Sequence, residues 1–463
     1  MKKVLLFLLL LLTLLCACSR RPAVSEMPEE TTAPTATPEP TPEPTPEPTP
    51  EPVMICGLTL PWDAEAFDLS LTEREEPPEP EVPAEADPAT EADPAAEVAG
   101  ESSGTEADPV EEESSGETEP AYEIFRPESG QPVVPCSVEE LCSALEKLPN
   151  LCFADLSGWP LTNEEEFALH EAFPAVEFGW DVDVLGVKAN SLDSYICLDN
   201  IPMTDTSALE ELLPLLFRVG RFDMCGCGIE DEPMYEFTQR HPDRRFVWIA
   251  HIGRREVRTD VTYFCSNSEG EKKVKPTSAL MEKQLKYFPD LIALDLGHSH
   301  ENIQDISWVR WVPNLEILIL VGCDLTDLSP LAELKNLTYL ELFTNRNLVD
   351  ISPLGELESL RDLNLSLTNV SDLTPLYGLK NLRRLWVNAC VMLPVEEVDA
   401  FYYAMPDCGI SYMQNATGAQ NGWRLDDRYY WMRDIFHAEY MPLELELKYG
   451  VKGPTYYKPE GVE

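Results

Sequence analysis

Five times between residues 291 and 393 the sequence writes the same six-residue figure: LIALDL from Leu291, LEILIL from Leu315, LTYLEL from Leu337, LRDLNL from Leu360 and LRRLWV from Leu382. The spacings are 24, 22, 23 and 22 residues. A second phrase recurs between the figures: DLSPLAELKN, DISPLGELES and DLTPLYGLKN. In each figure the last two leucine positions are separated by one residue, the period of a strand, so they share one face and the intervening residues share the other. The proline of Ser-Pro-Leu or Thr-Pro-Leu suits the first turn of a short helix or 3-10 segment, where its missing N–H is not needed. One such unit is too small to bury its own leucine face. Stacking buries it, and each unit then contacts only its neighbours. Reading the leucines as stripes of amphipathic helices conflicts with the prolines.

Self-similarity at this period with L-x-x-L-x-L is the pattern of leucine-rich repeats. Phrases such as DLTDLSPLAELKNLTYLEL resemble the repeats of internalin-type proteins. The stretch from about residue 136 to 440 includes DMCGCGIEDEPMYEFTQRHPDRRFVW before the repeats and GWRLDDRYYWMRDIF after them. It resembles the leucine-rich-repeat lipoproteins of Gram-positive anaerobes. The resemblance implies a fold and a cell-surface location, and no chemistry. The expected fold is an α/β solenoid: a right-handed leucine-rich-repeat superhelix with degenerate N-terminal units and a helical C-terminal cap.

Residues 1–18, MKKVLLFLLLLLTLLCAC, join a basic start to an apolar run that ends in small residues, the pattern of a secretory signal. Their end, Leu15-Cys16-Ala17-Cys18, resembles a bacterial lipobox. That likeness implies a diacylglyceryl group on Cys18, contact with the membrane through lipid alone, and a location on the extracellular face of the cytoplasmic membrane. Residues 19–52 carry a TPEP run that favours extended polyproline II and reads as a stalk. Residues 53–72 form an apolar island with strand-like alternation, able to dock on the folded part. Residues 73–135 return to low complexity. From Pro28 to Glu128 there are 29 acidic and 2 basic residues, a composition expected to stay disordered. The stretch reads as a spacer that lifts the repeats off the membrane, or as an insertion that is simply tolerated.

Residues 136–278 read as two degenerate units offset by 68: Asp155 falls on Asp223, Phe178 on Phe246, Trp180 on Trp248, Tyr195 on Tyr263 and Cys197 on Cys265. Each combines helix, strand, helix and strand with a hairpin insertion. A separate α/β domain is the alternative. Residues 279–410 hold the leucine-rich repeats and their cap, and residues 411–463 an aromatic helix and a tail.

The whole chain has a formal net charge of −49, which argues against nucleic acid, because phosphate binding needs clustered Lys and Arg. No glycine-rich phosphate loop, G-x-S-x-G or H-E-x-x-H occurs, so the chain reads as no enzyme and needs no cofactor. Cys225-Gly226-Cys227 offers two zinc ligands and lacks a second pair, so it reads as core or turn packing; His298, His300 and Glu301 could together bind a metal, but the stretch reads as an exposed polar turn. Of thirteen cysteines, eleven remain after Cys16 and Cys18, at spacings that form no compact disulfide framework.

The expected binding surface is the concave face. Its residues are Ile317, Ile319 and Val321; Tyr339, Glu341 and Phe343; Arg361 and Asn364; Arg383, Arg384, Trp386 and Asn388. Outward apolar side chains on solenoid strands need a partner or a cover. Tyr, Trp and Arg are the types enriched at binding hot spots. A protein partner is therefore expected. A wall glycan stacking on Trp386 and Tyr339, an envelope enzyme with a site in residues 136–278, and a spacer without specific ligand are the alternatives. The N-terminal hairpins or the acidic segment folding over this face would remove it as a site.

Overall fold

The structure is a computed structural model that describes residues 51–71, 122–128, 132–266, 274–299, 302–414, 422–436 and 450–462. The chain divides into Met1–Pro50 and Glu51–Glu463, and the described residues all lie in the second unit. Cys18 with its signal segment, nearly all of the stalk and most of the acidic linker lie outside the described residues. No helix among the described residues is long and apolar enough to cross a membrane.

Strands β1 (Val53–Ile55) and β2 (Leu58–Leu60) form an antiparallel hairpin. Strand β3 (Ala66–Asp68) lies between β4 (Ile124–Phe125) and β5 (Phe153–Asp155), and β6 (Glu177–Gly179) completes a parallel sheet. The 53–71 island is thus built into the folded unit. A disulfide from Cys56 to Cys136 also ties it to the chain entering helix α1 (Val138–Leu145). The chain continues through α2 (Asn163–Ala172) and the hairpin β7 (Asp181–Val184) and β8 (Val187–Asn190). A second parallel sheet follows: β9 (Tyr195–Cys197), β10 (Arg221–Asp223) and β11 (Arg245–Val247), with helices α3 (Ser207–Leu212) and α4 (Asp231–Arg240) between them. The hairpin β12 (Ile249–Ile252) and β13 (Arg255–Arg258) precedes the third sheet. Each strand from β5 to β9 starts 68 residues before its counterpart from β10 to β14, and α2 precedes α4 by the same step.

The third sheet has seven parallel strands in chain order: β14 (Tyr263–Cys265), β15 (Ala293–Asp295), β16 (Ile317–Ile319), β17 (Tyr339–Glu341), β18 (Asp362–Asn364), β19 (Arg384–Trp386) and β20 (Gly409–Ser411). Helix α5 (Ser278–Gln284) enters it and α6 (Val395–Ala404) leads to its last strand. The middle residues Leu294, Leu318, Leu340, Leu363, Leu385 and Ile410 all point into the leucine core. Beyond each strand the chain turns on a short polar side chain. Asn345 Nδ2 donates to the carbonyls of Leu320 and Leu342, and its Oδ1 accepts from the amides of Cys323 and Leu325. Thr368 and Cys390 both donate to the Leu365 carbonyl. These bonds satisfy backbone groups that leave the ladder. The outer side is built from 3-10 turns, Ser329–Glu333, Ser352–Glu356 and Thr374–Leu376, each with proline in its first turn. Asp327, Asp350 and Asp372 each accept the amide two residues on, which fixes the turn entry.

One core position breaks the pattern. Glu166 of α2 is fully buried and both carboxylate oxygens lack a hydrogen-bond partner among the described residues. Its counterpart 68 residues on is Met234, also buried. Burial, then the charges of Asp181 and Glu165, push the Glu166 carboxyl up to about 8. The fold therefore holds a proton that the unfolded chain releases near 4.5, and stability falls as pH rises from about 4.5 to about 8. Glu166→Met should stabilise the protein by about 3 kcal/mol above pH 8 and much less at pH 4. Burial pushes Asp295 up to about 6 with the same sign. The quantity to measure is therefore the variant-minus-parent difference in urea unfolding against pH. A difference independent of pH would contradict this account of Glu166.

Candidate functional site

On each strand of the third sheet the residues flanking the core leucine project to the opposite face. Had this face been open, it would present Ala293, Ile317, Ile319, Tyr339 and Trp386 to water. The structure covers it with the C-terminal segment. Trp423 and the stripe Tyr429, Met432 and Phe436 of helix α7 (Asp427–Ile435) and its end join those strand residues in a second apolar cluster, separate from the leucine core. The Trp423 ring lies 5.6 Å from Tyr339 and 5.0 Å from Trp386 between centroids. Tyr456 adds an edge contact to Trp386 at 5.4 Å.

Polar groups fix this cover in one register. Tyr339 Oη donates to Glu341 Oε1 at 2.6 Å and Trp423 Nε1 donates to the same oxygen at 2.8 Å. Burial, followed by the Glu341 charge, holds the Tyr339 phenol protonated well above its usual range. Asp362 is completely buried; Oδ1 accepts from Arg384 Nε at 2.5 Å and Oδ2 from Arg428 Nε at 2.9 Å. Arg384 also reaches Asp426 at 3.3 Å and lies 4.2 Å over the Trp423 ring. One buried carboxylate thus ties strand β19 and helix α7 together.

These contacts correct the expected concave surface. Ile317, Ile319, Val321, Tyr339, Glu341, Asn364, Arg384, Trp386 and Asn388 are buried, and Phe343 is partly covered. The reason is physical: an aromatic stripe on α7 matches the apolar and aromatic residues on the strands, and burying both removes them from water. Among the described residues the cover is the C-terminal segment and not the N-terminal hairpins; most of the acidic segment lies outside the described residues. Stacking of a glycan on Trp386 and Tyr339 loses its surface, since neither ring is accessible. Of the three ladder arginines, Arg384 is consumed by Asp362 and Asp426.

Arg361 and Arg383 remain exposed, one residue before strands β18 and β19. They lie side by side, because Arg383 N donates to the Arg361 carbonyl at 2.8 Å. Together with Glu316, Thr338, Ser359, Asn381, Arg428 and Trp431 they line a cleft of about 420 Å³ at the edge of the covered face. Arg428 is held by Asp362 and lies 3.7 Å over the Trp431 ring. Arg383 donates to the carbonyls of Lys380 and Leu382, and neither Arg361 nor Arg383 makes an ion pair among the described residues. The lining offers guanidinium donors, an aromatic wall, amide and hydroxyl groups, and one carboxylate. It holds no nucleophile–base pair. Among the described residues no group of three or more His, Cys, Asp or Glu could hold a metal ion, and Cys225 and Cys227 are buried. Glu316 and Thr338 read from the sequence as outward residues of the concave strands, whereas Ser359, Asn381, Arg428 and Trp431 were missed as lining residues. Ser359 and Asn381 recur at one fixed place before their strands, so the repeat alignment carried a signal for them.

The family model for leucine-rich repeats in two copies matches residues 313–356. No curated protein matches. Among solved structures, internalin C2 of Listeria monocytogenes is 24% identical, covering 28% of this chain and 64% of that one, with a TM-score of 0.23. The chain thus spans just under two thirds of that protein's length. An internalin InlF from the same organism is 19% identical, covering 61% of this chain and 84% of that one, with a TM-score of 0.28. A leucine-rich-repeat protein of Leptospira interrogans is 15% identical over 58% and 74% of the two chains, with a TM-score of 0.28. The ladder of parallel strands, its 3-10 turns and the matched repeats make this part of the chain a leucine-rich-repeat solenoid.

Proposed function

We propose that this protein is a non-catalytic binder that captures another protein at the cleft around Arg361, Arg383, Arg428 and Trp431, while lipid on Cys18 holds it at the extracellular face of the membrane. The observation that carries the binding role is a pair of adjacent arginines that make no ion pair among the described residues, beside a third arginine, in a chain of net charge −49. Each has abundant acid within the same chain, yet the pair faces a cleft. Solenoids of this kind present long surfaces suited to macromolecular ligands. The anchor rests on the lipobox-like end of the signal segment. Cys18→Ala should abolish labelling by palmitate; a variant labelled as strongly as the parent would exclude this anchor.

The binding role is tested by crosslinking capture from envelope extract with residues 51–463, which keep the Cys56–Cys136 disulfide. Parent protein should capture one partner, and capture should weaken as salt rises. Reversing both charges with Arg361→Glu and Arg383→Glu should cut it by about tenfold or more. Equal capture by parent and variant would remove the cleft from consideration.

A further inference from the structure

We propose that the cleft selects an extended peptide segment in which a carboxylate side chain and a lysine or arginine stand four residues apart, an inference that rests on the binding role given to the cleft above. The residues that carry it form one row across the ladder. Thr338 N donates to the Glu316 carbonyl at 2.9 Å, Arg361 N to the Thr338 carbonyl at 2.8 Å, and Arg383 N to the Arg361 carbonyl at 2.8 Å. Neighbouring strands lie roughly 4.8 Å apart, so Glu316 stands roughly 12 Å from the midpoint of Arg361 and Arg383. None of these three side chains makes an ion pair among the described residues. Two guanidinium groups borne by residues on adjacent rungs of the ladder repel each other until an anion lies between them. A carboxylate suits that place, because its two oxygens can accept from both arginines.

At the other end of the row Glu316 favours a cation and repels a second anion. In an extended chain residues i and i+4 share a face and stand roughly 13 Å apart, which matches the row. Asn381, Ser359 and Thr338 offer side-chain donors and acceptors along the way, as a peptide backbone requires. Trp431 walls the arginine end under Arg428. A sulfated polysaccharide repeats its anions along its length and would set one against Glu316, so the row favours the peptide.

The test uses the full chain and short capped fluorescent peptides. One set carries Asp and Lys four residues apart in either order, one carries them two apart, and one replaces Lys by Gln. Dextran sulfate is the competing probe. Anisotropy at low salt should show one order of the four-apart peptide binding about fivefold tighter than its Lys→Gln form, the scale of one exposed ion pair. Glu316→Gln should erase that difference, while Arg361→Gln with Arg383→Gln should weaken every acidic peptide. Acidic peptides that bind through the arginines but ignore the lysine and Glu316 would overturn this inference and leave the cleft as a binding site. Dextran sulfate that binds more tightly than any peptide, and more tightly still to Glu316→Gln, would overturn the peptide class. Peptide and polymer binding unaffected by the arginine changes, or absent altogether, would overturn both this inference and the role of the cleft.

Discussion

Asp362→Ala should destabilise the protein by about 3–5 kcal/mol, because it leaves a buried charge without its main partner. Asp362 is completely buried and accepts from two arginines, one on strand β19 and one on helix α7. Removing it leaves the Arg384 guanidinium, itself almost wholly buried, with Asp426 at 3.3 Å and a peptide carbonyl at 3.4 Å. Arg428 loses the bond that orients it in the cleft. The double change Asp362→Ala with Arg384→Met should recover much of the loss, since it removes both buried charges and leaves only the partly exposed Arg428 and Asp426 short of a partner. Urea unfolding of the single and double variants measures both effects. A loss below about 1 kcal/mol for Asp362→Ala would mean that water reaches the pair.

Trp423→Ala should cost a similar amount, about 3–5 kcal/mol, and should change the surface as well as the stability. Trp423 is the centre of the cover: it packs on Tyr339 and Trp386, lies under Arg384, and donates to Glu341. Truncating it opens a cavity between the helix and the strands and leaves the Glu341 carboxylate short of a donor. Helix α7 is nine residues long and too short to persist by itself in water. The variant should therefore expose Ile317, Tyr339 and Trp386 in part and bind an apolar dye that the parent does not. Stability lost without dye binding would show that the helix stays seated without its anchor.

The repeat architecture was legible because a leucine at a fixed place has one role in every unit. The strands fall on the L-x-x-L-x-L figures, Asn345, Thr368 and Cys390 do the turning, and the prolines open the 3-10 segments. The step of 68 residues was visible for the same reason: Phe178 and Phe246, or Tyr195 and Tyr263, repeat the same local environment. The covered face was not legible, although both of its halves were. Ile317, Ile319, Tyr339 and Trp386 read as outward apolar residues, and Tyr429, Met432 and Phe436 share one side of an aromatic helix. Nothing in one sequence says that these two surfaces meet, because the contact between Trp423 and Glu341 spans 82 residues and has no period. The Cys56–Cys136 bridge spans 80 residues and was hidden for the same reason. The cleft followed from the cover, since Arg428 and Trp431 become lining residues only once α7 is seated.

The central claim is that a ligand enters at the rim of the ladder and leaves the covered face closed. Hydrogen exchange of residues 51–463, free and with the captured partner, tests it most directly. Binding at the rim predicts slower exchange around residues 314–316, 336–338, 359–361, 381–383 and 428–431, with residues 423–427 and 432–436 as protected as before. Faster exchange across 423–436, with new protection at Ile317, Tyr339 and Trp386, would show that the partner displaces the helix and takes the face beneath it, which contradicts the account.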